Sequence, residues 1–174
     1  MTVLSKTRMR SMLIGNKPLI RGYIDLEVQI QPNGFDLSLK EIHKIESRVY
    51  LDFNNSNRKL PPLDVIDFDQ DGWLQLDAGV YIVVFNEIVT LPDNLMALGR
   101  PRSSLLRMGV TVDSAVWDAG YSGRSQCLLV VHNLFGIGLQ RNARILQLVF
   151  MQLDSSTEVY QGIYQGENLQ KALK

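Results

Sequence analysis

Two short stretches of this chain carry the residue types that phosphate-ester chemistry needs. The first is Arg100-Pro101-Arg102-Ser103-Ser104. Guanidinium forks match phosphate oxygens in geometry and charge. Hydroxyls and free backbone N–H groups at a helix start add donors there, and the helix dipole favours an anion. The same residues also suit a Ser-capped helix start with solvated arginines. The second stretch is Trp117-Asp118-Ala119-Gly120-Tyr121-Ser122-Gly123. A lone Asp118 among small neighbours can lie in a cleft and act as general base toward water. An aromatic ring next to it can serve as a platform for a sugar or a base. The alternative is a plain Asp-Ala-Gly hairpin turn. A second carboxylate, Asp36, follows the turn Gln31-Pro32-Asn33-Gly34-Phe35. It can orient a metal-bound water or simply close the turn.

Other candidates drop out on their chemistry. Asp67-Phe68-Asp69-Gln70-Asp71-Gly72 looks like the start of an EF-hand loop, but the twelfth position needs a bidentate Glu and holds Ala78. His43 and His132 stand apart without metal-ligand spacing. No nucleophile elbow, Walker loop, Rossmann fingerprint or zinc spacing is present.

The elements that must position these residues read mainly as strands. Ser5 to Ile14 is predicted as a helix, with Ser5 as N-cap and Gly15 as its stop. Val28–Gln31 and Phe35–Leu39 alternate on either side of the Pro32-Asn33-Gly34 turn. Arg48 to Phe53 is another strand candidate, and Asn54 to Pro62 a polar loop. Trp73–Leu76 and Val80–Phe85 are predicted as consecutive strands joined across Asp77-Ala78-Gly79. Val80–Phe85 is apolar on both faces, which indicates an interior strand. Cys127–Val131 reads the same way, and Arg144–Leu153 is a third long strand. Ser104–Met108 is a short helix, with Ser103 placed to cap it and Gly109 to end it. The tail from Glu167 to Lys174 is read as a frayed end or a helical turn. Many short strands between regular turns predict an all-β barrel or sandwich.

The totals bound the rest. The 174 residues fit a single domain, 1–174, large enough to bury a core. Lys and Arg number 18, Asp and Glu also 18, and the formal net charge is zero. A neutral chain of pI near 6.7 is a poor nucleic-acid binder, which needs a net basic face. No apolar run is long enough to span a membrane, and the start lacks the apolar stretch of a signal peptide. Cys127 is the only cysteine, so no internal disulfide can form, which suits a cytoplasmic protein. The sequon Asn54-Asn55-Ser56 therefore carries no meaning. Strands apolar on both sides expose surface that self-association would cover.

Read together, these pieces resemble the dUTPase/dCTP deaminase superfamily, most closely its archaeal-type dUTPase branch. The resemblance runs from Leu4-Ser5 to Asn168. Its carriers are Gln29–Leu37, Phe85-Asn86-Glu87, Pro101–Leu105, Ala115–Gly123, Arg141–Phe150 and Tyr160–Gly166. It implies a distorted β-barrel of the β-clip, dUTPase-like kind with a few short helices, assembled as a homotrimer with active sites between subunits. It implies hydrolysis of dUTP to dUMP and pyrophosphate, with Mg²⁺ on the phosphates. By position Asp118 matches the catalytic carboxylate, and Tyr121 the aromatic under the deoxyribose. Arg102 and Ser103, continued by Ser104, match the phosphate grip, and Asp36 the acid that organises metal-bound phosphates and water. Gln147 matches a glutamine that reaches the triphosphate. Tyr160 and Gln165 fall in the carboxy-terminal segment that closes over the phosphates.

The sibling activity is deamination of dCTP. That chemistry needs a Glu on the strand after the Asp-x-Gly turn. Counting from Gly123 the matching position is Leu128, and counting back from Asn133 it is Val130. Neither transfers a proton, and no carboxylate lies from Gln126 to Val131. The sequence thus favours a diphosphatase over a deaminase, a bifunctional enzyme or a non-catalytic nucleotide binder. Ile163 stands where deaminases usually have Lys. The glycine-rich, arginine-bearing tail of ordinary trimeric dUTPases is missing.

Overall fold

Residues 2–169 are described by the computed structural model, and strands dominate them. The chain opens with β1 (Thr2–Val3), α1 (Lys6–Met12), β2 (Ile20–Arg21), α2 (Leu26–Gln29) and β3 (Ile30–Gln31). It continues through β4 (Gly34–Ile45), β5 (Leu63–Ile66), β6 (Trp73–Leu76), β7 (Gly79–Phe85), β8 (Ile88–Thr90) and β9 (Leu95–Pro101). After α3 (Ser103–Arg107) come β10 (Val110–Asp113), β11 (Val116–Trp117), β12 (Ser122–Gly123), β13 (Gln126–Val131), β14 (Ile137–Gln140) and β15 (Arg144–Gln152).

The main sheet runs in the order β10-β13-β7-β4-β15-β9-β11. Strand β1 pairs with β15, and both β3 and β5 pair with β4, so ten strands share this sheet. β10 also packs against β9, so the sheet curls back on itself as a half-barrel. β4 is the hinge of this arrangement. Its first half pairs with β15 and its second half with β7 and β5, with a register shift between Leu39 and Glu41. Curling encloses one core. Phe35, Leu37, Leu39, Phe85, Leu129, Ile145, Leu148 and Phe150 are fully buried there.

Most predicted elements form where their patterns lie. Ser5 caps α1 by accepting the Arg8 amide at 3.3 Å, and Leu13 closes the helix just before Gly15. β7 sits inside the sheet between β13 and β4, as two-sided apolar character requires. On its outward face Val80 stays about half exposed, while Val84 on the same face is buried. β6 and β7 follow each other in sequence but do not pair, since β6 takes β14 as its partner.

Three expectations are corrected. Val28–Gln31 is not one strand. The Asp25 side chain accepts the amides of Glu27 and Val28, which winds Leu26–Gln29 into a helical turn and leaves only Ile30–Gln31 extended. Arg48–Phe53 forms no strand, because its one ladder contact is the bridge between Tyr50 and Lys59. Ser103 does not cap α3. The N-cap is Arg102, with no side-chain cap bond, and Ser103 is already the first helical residue. Gly109 follows α3 with φ +75°, the left-handed conformation that ends a helix. At the tail, Glu167–Leu169 form turns rather than helix, and the rest of that expectation, 170–174, lies outside the described residues.

Candidate active site

The Asp118 turn carries both of the properties that its sequence left open. The Asp118 carbonyl accepts the Tyr121 amide at 3.1 Å, which makes the chain turn here. Gly120 holds φ +80°, and a Cβ on it would lie 2.4 Å from Cβ of Val159, so both conformation and space demand glycine. The same turn leaves the Asp118 side chain exposed, without a hydrogen-bond or ion-pair partner among the described residues. It stands on the wall of a cavity of about 560 Å³. Trp117, Tyr121, Gln126, Tyr160 and Glu167 share that wall. A free carboxylate beside aromatic faces can orient a water and hold a sugar.

Behind the wall a chain of hydrogen bonds fixes the aromatic residues. Trp117 Nε1 donates to Ser125 Oγ at 2.5 Å. The Ser125 hydroxyl lies 3.4 Å from the Tyr121 hydroxyl, which itself donates to Glu167 Oε1 at 2.8 Å. Tyr121 is buried, and burial pushes its phenol well above the usual range. Burial likewise pushes the Glu167 carboxyl up, while the Tyr121 hydrogen bond pulls against it. Tyr160 meets Tyr121 edge-on at 6.0 Å between ring centres.

The carboxy-terminal segment is bound to this turn along its length. The Tyr160 amide donates to the Ala119 carbonyl at 2.8 Å. The Gln165 side chain donates to the Gly120 carbonyl at 2.9 Å and accepts the Ser122 amide at 2.8 Å. The Arg124 amide donates to the Glu167 carbonyl at 3.0 Å. Within one protomer, Tyr160 therefore lines the cavity while Gln165 clasps the turn.

Asp36 and Arg102 form a second cluster. Asp36 is almost wholly buried on β4 and takes Arg102 Nε at 3.0 Å and Arg144 Nη1 at 3.1 Å on the same oxygen. Burial pushes its carboxyl up, and the two guanidiniums work against that shift. Arg102 also donates through Nη1 to the Arg144 carbonyl at 3.2 Å. Ser103 and Ser104 are exposed on α3 beside it. Gln147 on β15 sits between Asp36 on β4 and Arg100 on β9 in the strand register. Beneath this cluster the buried Glu87 accepts the Ser38 amide and hydroxyl and the Gln29 amide, at 2.8, 2.6 and 2.6 Å. The same Gln29 nitrogen donates to the Asp36 carbonyl at 2.8 Å, so the backbone that follows the Asp36 side chain is tied down.

The two clusters do not meet. Trp117 pairs with Ala97 on β9, and Arg102 lies five residues further along the chain. At about 3.3 Å per residue that is roughly 16 Å. None of Asp36, Arg102, Ser103, Ser104 and Gln147 lines the Asp118 cavity. Several residues of these clusters escaped the sequence reading: Trp117 as a wall, Ser125, Gln126, Glu167, Arg144, and Glu87 as the support of Asp36. Arg144 had a signal, a charge opening a strand whose later residues are apolar. Glu167 and Ser125 had none, because distant segments bring them together.

The comparisons now place the chain. The dCTP deaminase-like family profile matches residues 3–153. The chain belongs to that family. Within it, a protein of Methanococcoides burtonii is 50% identical over 170 residues, covering 97% of this chain and 100% of its own. A protein of Archaeoglobus fulgidus is 51% identical over 169 residues, covering 97% and 99%. Both are named "Probable deoxyuridine 5'-triphosphate nucleotidohydrolase". The 2'-deoxycytidine 5'-triphosphate deaminase from Agrobacterium tumefaciens superposes with a TM-score of 0.65 at 27% identity, over 85% of this chain. This chain spans about half of that deaminase, 48% of its length.

Proposed function

We propose that this protein hydrolyses dUTP to dUMP and pyrophosphate. The observation that carries the reading is the free Asp118 carboxylate on an aromatic-walled cavity, in a chain half identical over nearly its whole length to proteins named for that activity. The deaminase alternative loses support from β13. Its outward residues are Gln126, Leu128 and Val130, none of them an acid. The cavity's other acid, Glu167, is taken up by the Tyr121 phenol.

Asp118 orients and deprotonates the water that attacks the α-phosphorus. Tyr121 packs against the deoxyribose and leaves no room for a 2′-hydroxyl. Main-chain groups of residues 111–121 read the uracil. Arg102, Ser103 and Ser104 hold the departing pyrophosphate, with Gln147 beside them, and Asp36 aims Arg102 through their ion pair. Tyr160 and Gln165 keep the carboxy-terminal segment over the bound nucleotide.

Among the described residues no three of His, Cys, Asp and Glu gather as a metal cage. That donor set fits Mg²⁺ carried by the triphosphate, which keeps waters and accepts one or two carboxylates at most. Bound Mg²⁺ would be held through the phosphates and water, with Asp36 helping to organise them, and would supply charge neutralisation on the phosphates.

A homotrimer with sites between subunits reconciles the two separated clusters, since one protomer's grip then meets another's cavity. The partly exposed apolar residues Val80, Ile82, Leu128 and Val130 of β7 and β13 support the same assembly. No helix among the described residues is long and apolar enough to cross a membrane. The buried thiol of Cys127, the chain's only cysteine, suits the reducing cytoplasm.

The test supplies Mg²⁺ with dUTP, dCTP, UTP or dTTP and follows pyrophosphate and ammonia in parallel. Pyrophosphate from dUTP without ammonia from dCTP is the expected result. Ammonia from dCTP would establish the deaminase instead, and dUTP binding without any product would make the protein a nucleotide binder.

A further inference from the structure

Tyr121 is held more firmly than a ring that merely lines a cavity needs to be. Its phenol is the third member of a directed chain: the Trp117 N–H, the Ser125 hydroxyl, the Tyr121 hydroxyl and the Glu167 carboxylate, at 2.5, 3.4 and 2.8 Å. A phenol has one proton to give. With Glu167 taking it, the Ser125 hydroxyl is free to donate back to the phenol oxygen, and each bond polarises the next. The acceptor at the end comes from 46 residues away, on the carboxy-terminal segment.

The backbone is shaped around this contact. Gly123 lies beneath it, where a Cβ would stand 2.6 Å from the Tyr121 hydroxyl and 3.3 Å from Cγ of Glu167. Any side chain there would drive the pair apart. Glu167 is itself placed by its backbone, whose carbonyl accepts the Arg124 amide at 3.0 Å and whose amide donates to the Tyr164 carbonyl at 3.1 Å. Its carboxylate is thus aimed by main-chain bonds on both sides.

We propose that Glu167 is a positioning residue for sugar selectivity: by holding the Tyr121 hydroxyl it fixes the ring against which the nucleotide's 2′-carbon packs. The inference rests on the reading of Tyr121 as the sugar platform. Exclusion of a 2′-hydroxyl is steric, and a steric wall discriminates only if it cannot yield. Tyr121 pivots at its own Cα and is tied at its far end by Glu167, so the bond removes the swing that would admit a ribose. Glu167 acts through the platform it holds.

The experiment measures the ratio of kcat/KM for dUTP over UTP, together with competitive inhibition by dUMP against UMP. It compares Glu167→Ala, Glu167→Gln, Tyr121→Phe, Tyr121→Ala and the Glu167→Ala/Tyr121→Phe double variant. Losing a hydrogen bond to a charged group should lower the ratio about tenfold in Glu167→Ala and in Tyr121→Phe. The double variant should fall no further, because both changes cut one bond. Glu167→Gln keeps an acceptor oxygen and should retain most of the selectivity. Gly123→Ala should imitate the loss by steric pressure. Additive losses in the double variant would overturn the proposal. So would ratios within twofold of wild type in Glu167→Ala and Tyr121→Phe while Tyr121→Ala collapses selectivity. A Tyr121→Ala protein with unchanged selectivity would instead remove the sugar platform itself. Should Glu167→Ala fail to fold, Tyr121→Phe, which keeps the ring and the tail, decides alone.

Discussion

Asp118 and Asp36 are two aspartates of one chain in opposite surroundings. Asp118 is exposed and unpaired among the described residues, so its carboxylate is free to accept a proton from water. Asp36 is buried and spends one oxygen on two arginines, so it holds those arginines in place. Asp118→Asn keeps size and shape and removes only the basicity. Turnover of dUTP should fall by roughly 10²–10⁴-fold, while dUMP inhibition changes little. Steady-state kinetics beside inhibition constants check this, and wild-type turnover would take the general-base role from Asp118. The sequence supplied Asp118 and Tyr121 together because they are neighbours within one turn. It was silent on Glu167 and Ser125 for the opposite reason: their roles exist only once the tail returns to the 118–125 segment.

Local signals were legible wherever a single element decided the outcome. Ser5 capped as predicted, and β7, β13 and β15 formed over their apolar runs. Where a neighbour decided, pattern misled. Val28–Gln31 alternates, yet Asp25 just before it offers a helix cap that wins locally. Arg48–Phe53 has strand-like residues and finds almost no partner strand. α3 follows the same logic, since the serine that looks like a cap is the first helical residue and its hydroxyl makes no cap bond. That correction has a measurable consequence. Ser103→Ala should leave stability within about 0.5 kcal/mol, as for an exposed residue whose hydroxyl has no partner among the described residues. A true N-cap would cost about 1 kcal/mol. Thermal or urea unfolding gives the stability, and inhibition by free pyrophosphate should weaken in the same variant if the hydroxyl meets phosphate.

At the scale of the whole molecule, buried acids tie the active region to pH. Burial raises the carboxyl groups of Glu87 and Glu167 above their ordinary 4.5. A folded state that holds protons more tightly than the unfolded chain is most favoured below the unfolded value, and loses that advantage as pH rises through the raised value. Glu27, Glu41 and Asp52 are shifted down by their partners and act only on the acid side of their ordinary range. Stability should therefore decline as pH climbs above the ordinary carboxylate range. Glu167→Gln has nothing to titrate there and should flatten the slope in thermal unfolding. An unchanged slope would mean that the raised Glu167 carboxyl is not what the tail contributes to pH sensitivity.

The separation of the two clusters makes the last prediction one about assembly. If one protomer's Arg102 serves another's Asp118, two defects can be placed in different chains and cured by mixing. Arg102→Ala removes a grip and leaves a cavity, while Asp118→Asn does the reverse, and each homogeneous protein should be nearly inactive. Refolded together in equal amounts, chains distribute at random around a closed ring. Half of the grips and half of the cavities are then intact, so about a quarter of the sites should hold one of each. Recovery of dUTP hydrolysis to about a quarter of wild type is the expected outcome. A protomer that works alone cannot pass this test, because every chain in the mixture carries one lesion. Failure to recover in a mixture shown by mass to contain mixed oligomers would place both clusters in the same protomer's site. The roughly 16 Å between them along β9 would then have to be closed by movement within the chain.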